Sequence, residues 1–124
     1  MSNTVSWERR GCFIAYSDHV TFSEFFGAII AIHADENYNQ VAFVIHDMTR
    51  VTTFDFSDVN MIKIASHELG ARFTNPNVRP AVVSTNPTMI EMTKVFSELT
   101  KLQVGIFPTV TEARAWIIQT QVPA

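Results

Sequence analysis

The side chains that could do chemistry are few: four histidines, one cysteine and scattered carboxylates. His46 and Asp47 follow an apolar run together, and α/β domains place their sites at the carboxyl ends of strands. An active site also needs a third group and a pocket, and the sequence shows neither. We therefore interpret His46 and the other histidines, His19, His33 and His67, as structural residues.

Established catalytic and ligand-binding motifs are absent. The four glycines, at positions 11, 27, 70 and 105, form no glycine-rich phosphate loop. No G-x-S-x-G, C-x-x-C or H-x-x-x-H pattern occurs. Cys12 precedes Phe13 and Ile14, so we expect a buried strand thiol rather than a nucleophile. The sequence predicts a protein that is not an enzyme and that uses no metal and no cofactor.

Length and composition predict one folded domain over residues 1–124, with 47% hydrophobic and 17% charged residues. The basic residues are scattered and the net charge is −3, which argues against a nucleic-acid surface. The longest apolar run, 25–32, is too short for a membrane span. A polar start without a signal-peptide pattern and a single cysteine predict a cytoplasmic location.

Four helices are predicted from capping signals and apolar periodicity. The signals are Thr21 with Glu24, Asn86 with Pro87, and Thr109 with Glu112, for the first, third and fourth helices. The second helix is expected to begin near Ser57. The predicted inward stripes, in chain order, are Phe22, Phe25, Phe26, Ile29 and Ile32; Ile62, Ala65, Leu69 and Phe73; Met92, Phe96 and Leu99; and Ala113, Trp116 and Ile117.

Strands are predicted at residues 4–16, broken by a turn or bulge at Gly11, and at 41–45, 81–83 and 104–107. The order is therefore β-β-α-β-α-β-α-β-α. Strands that alternate with helices indicate an α/β fold with a mixed, mainly parallel sheet.

Residues 43–57 resemble the STAS domain of sulphate transporters and bacterial anti-sigma-factor antagonists. Asp47 matches the aspartate that ends a strand in that family, and residues 48–51 match the short stretch that follows it. Residues 55–58 stand where the family has Asp-Ser-Ser-Gly at a helix start. The pattern continues through Asn86-Pro87 and residues 107–110 to Trp116. The resemblance covers residues 41–117, is nearest to the STAS/lipid-transfer-like branch of small bacterial proteins, and implies an antagonist-like fold.

The resemblance also implies a non-enzymatic signalling domain that binds a protein partner. The implied contact residues are Asp47, Asp55, Ser57, Asp58 and Asn86. Ser57 matches the serine that a partner kinase phosphorylates in the family. The family's first serine is replaced here by a phenylalanine, and its glycine by Asp58. The other interpretation of Ser57 is a plain helix N-cap.

Two further hypotheses remain open. Ten phenylalanines and five methionines could line a pocket for a small apolar ligand or a lipid, although they are more simply explained as core residues. The high apolar fraction and low charge also suggest a homodimer.

Overall fold

A computed structural model describes residues 3–120, so the ends of the predicted domain, 1–2 and 121–124, lie outside the described residues. The elements are β1 Asn3–Glu8, β2 Gly11–Thr21, α1 Phe22–Ala34, β3 Phe43–Asp55, α2 Met61–Ala71, β4 Arg79–Val83, α3 Pro87–Thr100, β5 Gly105–Phe107 and α4 Val110–Thr120. A short 3-10 helix, Glu36–Gln40, lies before β3. The α/β class and the predicted element order are confirmed. Within the described chain, no helix is both long and apolar enough to cross a membrane.

The strands form one sheet in the order β1-β2-β3-β4-β5. β1 runs antiparallel to β2, and every other neighbouring pair is parallel. The role predicted for Gly11 is wrong, because the positive φ of the β1–β2 turn belongs to Arg10 (φ 64°). Gly11 instead lies directly against the ring of Phe43, where a Cβ atom would collide with the ring.

The helices divide unequally between the faces of the sheet. Strand order follows chain order, and parallel crossovers are almost always right-handed, so the three connecting helices are expected on one face. The main core confirms this, since it joins residues of α1, α2 and α3 to the strands. α4 covers the opposite face with Ala113 and Ile117, as predicted. Arg114 also connects α4 to β1 through a bidentate ion pair with Glu8. The two nitrogen–oxygen distances are 2.9 and 2.6 Å.

The capping signals of α1, α3 and α4 are confirmed. Thr21 and Glu24 form a complete capping box. Asn86 caps α3, with Pro87 in its first turn. Thr109 Oγ1 accepts a hydrogen bond from Glu112 N–H at 3.2 Å.

The inward stripe predicted for α2 is confirmed at Ala65 and wrong at its other three positions. Ile62, Leu69 and Phe73 are 72%, 42% and 92% exposed. The buried residues of α2 are Ile64, Ala65 and Glu68. A carboxylate on the inner face hides that face from a search for apolar periodicity.

The third helix also departs from its predicted stripe, because Leu99 is exposed. Its buried positions include Thr93 and Thr100. Their hydroxyls donate to the carbonyl oxygens of Met89 and Phe96, both at 2.8 Å, so they can be buried without an unpaired polar group.

Candidate functional site

The predicted contact residues fall into two groups, the first of which lies where pairing between β3 and β4 ends. Asp47 pairs with Val83 in the last register position of these two strands. Asp47 Oδ1 accepts from Thr49 N–H at 3.0 Å and from Thr49 Oγ1–H at 2.7 Å. Asn86, three residues after Val83, uses its side chain to cap α3.

The prediction that Asp47 ends its strand is wrong. β3 continues to Asp55, because the second half of β2 provides a partner as far as the Thr21–Asp55 pair. The register shifts between Ala15 and Ser17 and again between Asp18 and His19. β3 is therefore eight residues longer than an end at Asp47 would make it, and Asp55 lies far along the chain from Asp47.

The second group is the exposed loop between β3 and α2. Asp55 Oδ1 accepts from Ser57 N–H at 3.2 Å and from Ser57 Oγ–H at 2.7 Å. These hydrogen bonds hold the pKa of Asp55 below its usual range. Asp58 is exposed beside them. In the described chain, the side-chain hydrogen bonds of Asp47 and Asn86 stay within their own segments and do not reach this loop.

Ser57 does not cap the helix, so that interpretation is wrong. α2 begins at Met61, and its N-cap is Asn60, whose Oδ1 accepts from Lys63 N–H at 3.0 Å. The Asp55 side chain holds Ser57 in a turn, and residues 56–60 complete the loop before the helix begins. Ser57 is therefore an exposed hydroxyl in a loop.

A buried polar cluster that the sequence did not predict lies between α1, α2 and the sheet. His33 Nε2 lies 3.4 Å from Glu68 Oε1, and His33 Nδ1 lies 2.8 Å from His67 Nδ1. On the sheet side, Tyr16 Oη contacts His46 Nδ1 at 3.1 Å. The three histidines therefore belong to polar contacts between elements, and His67 is half-buried.

Burial and charge set the protonation of this cluster. Burial would raise the pKa of Glu68, but hydrogen bonding and the charges of His33, His46 and Arg72 bring it below the usual range. Burial lowers the pKa of His46 to about 4, against a smaller opposing effect of Glu68. Burial also lowers the pKa of His67, and the charge of His33 adds to this shift. At neutral pH, His46 is therefore neutral and Glu68 is ionised.

An apolar pocket of about 50 Å³ borders this cluster. It lies between the three helices of the main core and the sheet, and both His46 and Glu68 line it. The sequence carries a signal for His33 and Glu68, the two residues of the buried ion pair. His33 lies four positions after Ile29, and Glu68 lies four positions after Ile64. Each polar residue thus lies on the buried face of its helix, where a paired partner is expected.

Comparison with known proteins establishes the fold. No protein-family model and no curated protein matches the chain. The solved structure of the anti-sigma factor antagonist SpoIIAA in its unphosphorylated form matches with a TM-score of 0.64 at 11% identity, covering 95% of this chain and 98% of that chain. An anti-sigma factor antagonist from Mycobacterium paratuberculosis matches with a TM-score of 0.56 at 13% identity, covering 94% and 92%.

A third solved structure is an uncharacterised protein of the DUF3478 family from Shewanella loihica, which has a SpoIIAA-like fold. It matches with a TM-score of 0.54 at 11% identity, covering 93% of this chain and 91% of that chain. The fold of the present chain is therefore the SpoIIAA-like, or STAS-like, fold that the sequence resemblance implied.

Proposed function

We propose that the chain is a non-enzymatic signalling domain that binds a protein partner, as an anti-sigma-factor antagonist does. Its contact surface would be the β3–α2 loop together with the outer face of α2. The surroundings would be the cytoplasm, which suits a lone buried thiol. The scattered basic residues favour a protein partner over a nucleic acid.

The observation that carries this proposal is the outer stripe of α2, which we define as Ile62 and Leu69 on the helix and Phe73 two residues beyond its last residue, Ala71. Ile62 and Leu69 lie two turns apart on one face of the helix, and the side chains of Ile62, Leu69 and Phe73 are 72%, 42% and 92% exposed. A single exposed apolar side chain needs no explanation, but an ordered apolar stripe on a helix is typical of a surface that another protein covers. Val59, in the loop before the helix, is also exposed and lies next to Asp58.

The charges beside the stripe indicate the chemistry of the partner. Asp55 and Asp58 are exposed in the loop that leads into α2. An interface usually has an apolar centre and a polar rim. We therefore infer a partner with an apolar patch for the stripe and basic side chains for the loop.

The role of Ser57 as a phosphorylation site stays a prediction. The hydroxyl is exposed and accessible. A phosphate there would break the hydrogen bond to Asp55 and face two carboxylates, those of Asp55 and Asp58. Modification would thus change the shape and charge of the proposed contact surface.

Site-specific photo-crosslinking in the source cell tests the proposal. A benzoylphenylalanine at position 73 is compared with one at position 118, because Ile118 is 73% exposed on α4, on the opposite face. We expect position 73 to give an adduct with one protein and position 118 to give none. The Ile62→Ser, Leu69→Ser double variant should lose the adduct.

Two results would count against a separate protein partner. Equal adducts from positions 73 and 118 would show that the stripe has no special role. An adduct between two copies of this chain would instead support the homodimer, which stays a prediction until sedimentation at tens of micromolar protein is measured.

A further inference from the structure

The apolar pocket is lined in part by flexible side chains. Its lining comes from all three helices on that face and from the sheet, and it includes Met61, Met89 and Met92. Methionine side chains are unbranched and adapt to irregular spaces. The volume of about 50 Å³ fits a small head group, and the methionines can rotate to admit an apolar tail between the helices.

His46 lines this pocket and a smaller cavity beside it, and it carries a hydrogen-bond donor without a partner among the described residues. Tyr16 Oη is buried, and its described hydrogen-bond partner is His46 Nδ1, so the hydroxyl donates to that nitrogen. The neutral ring then carries its own proton on Nε2. Within the described chain, no hydrogen bond is made by Nε2, although His46 is only 6% exposed.

Glu68 supplies an acceptor to the same small space. It is buried, lies 3.4 Å from His33, and lines the pocket together with His46. An ionised carboxylate accepts hydrogen bonds but donates none. A ligand atom next to it must therefore bring a proton, and an anionic head group would be repelled.

We propose that this pocket binds a neutral, largely apolar molecule carrying one hydroxyl group, which accepts from His46 Nε2–H and donates to the carboxylate of Glu68. A hydroxyl can do both at once, and His46 and Glu68 line the same small pocket. The site is separate from the outer stripe of α2, so it adds a ligand to the proposed partner binding.

Methyl-labelled methionine NMR tests this with 1-octanol and octanoate at pH 7.5. Met61, Met89 and Met92 line the pocket, whereas Met48 is buried in the core outside its lining. We expect 1-octanol to shift the three pocket methyls in a saturable way and to leave Met48 unchanged. Octanoate should bind at least about tenfold more weakly, because its charge meets that of Glu68.

Three variants make the test decisive. Met92→Trp should fill the pocket and abolish the shifts, whereas Val95→Trp, at an exposed position on the same helix, should keep them. Glu68→Gln should bring octanoate binding to within about threefold of octanol, because the repelling charge is removed. A thermal midpoint for each variant shows that it is folded.

The proposal is overturned if saturating 1-octanol leaves the three methyls unmoved, which would mean that the pocket holds water alone. It is also overturned if octanoate binds wild-type protein as well as octanol does. Equal octanol binding by Met92→Trp and Val95→Trp would place the ligand elsewhere.

Discussion

The Nδ1 atoms of His33 and His67 lie 2.8 Å apart and join α1 to α2. At this distance one ring donates and the other accepts, so two charged rings would repel each other. This contact therefore disfavours two charged rings side by side, and the burial of His46, which lowers its pKa, makes the stability of the fold depend on pH.

Acidification from pH 7 to pH 5 is expected to lower the free energy of unfolding by about 2 kcal/mol through His46. Its pKa falls from 6.5 to about 4 on folding. The unfolded chain therefore binds more protons between these values, and stability is lost as the pH falls through this window. Urea unfolding at a series of pH values measures the slope.

Variants separate this effect from general acid sensitivity. His46→Gln can still accept from Tyr16 and should flatten the slope between pH 5 and 7. His19→Gln changes an exposed histidine that is hydrogen-bonded to Thr53 and should leave the slope unchanged. Identical slopes in wild type and His46→Gln would contradict the assignment.

The α2 cap gives a second prediction. Asn60→Ala should cost about 1 kcal/mol of stability, because it removes the acceptor for Lys63 N–H. Ser57→Ala should change stability by less than about 0.5 kcal/mol, since its hydrogen bond to Asp55 is exposed. Denaturant midpoints of the two variants measure the difference. If Ser57 were the true cap, Ser57→Ala would lose more stability than Asn60→Ala.

The fold could be predicted from the sequence because its signals are local. The capping box at Thr21 and the Asn86-Pro87 pair each act within a few residues. The burial of Ala113 and Ile117 likewise follows from the periodicity of one helix. The order of strands and helices then predicts that most strands of the sheet are parallel, because a helix that joins two strands lets them run in the same direction.

The site could not be predicted in the same way because its contacts are distant in sequence. The spacing from Ile64 indicates that Glu68 lies on the buried face of α2, but its partner His33 lies on another helix, and no local signal in the sequence pairs the two. β3 continues past Asp47 because β2 provides a second half to pair with. The carboxylate of Glu68 interrupts the apolar pattern on the buried face of α2. Apolar periodicity alone therefore places Ile62 and Leu69 on the wrong side of the helix.

Cys12 is expected to be unreactive in the folded protein. It is fully buried, and burial, with smaller effects of Asp35 and Glu8, raises its pKa to about 12. At pH 8 the native thiol should react with a disulfide reagent roughly a thousandfold more slowly than the unfolded chain, because only the thiolate attacks. Reductant and chelator should leave the thermal midpoint unchanged, and rapid native-state labelling would contradict the prediction.

Two glycines give opposite predictions for the same substitution. Gly11→Ala should destabilise the protein by about 1–3 kcal/mol, because the new Cβ meets the buried ring of Phe43. Gly27 lies within α1, and no atom outside the adjacent residues and backbone of its own helix stands within 4 Å of where its Cβ would be. Gly27→Ala should therefore stabilise by up to about 1 kcal/mol through helix propensity alone. Thermal and urea unfolding of both variants measure the difference. A neutral Gly11→Ala would show that Phe43 can move aside, and the close approach of β2 and β3 would then not explain why glycine stands at position 11.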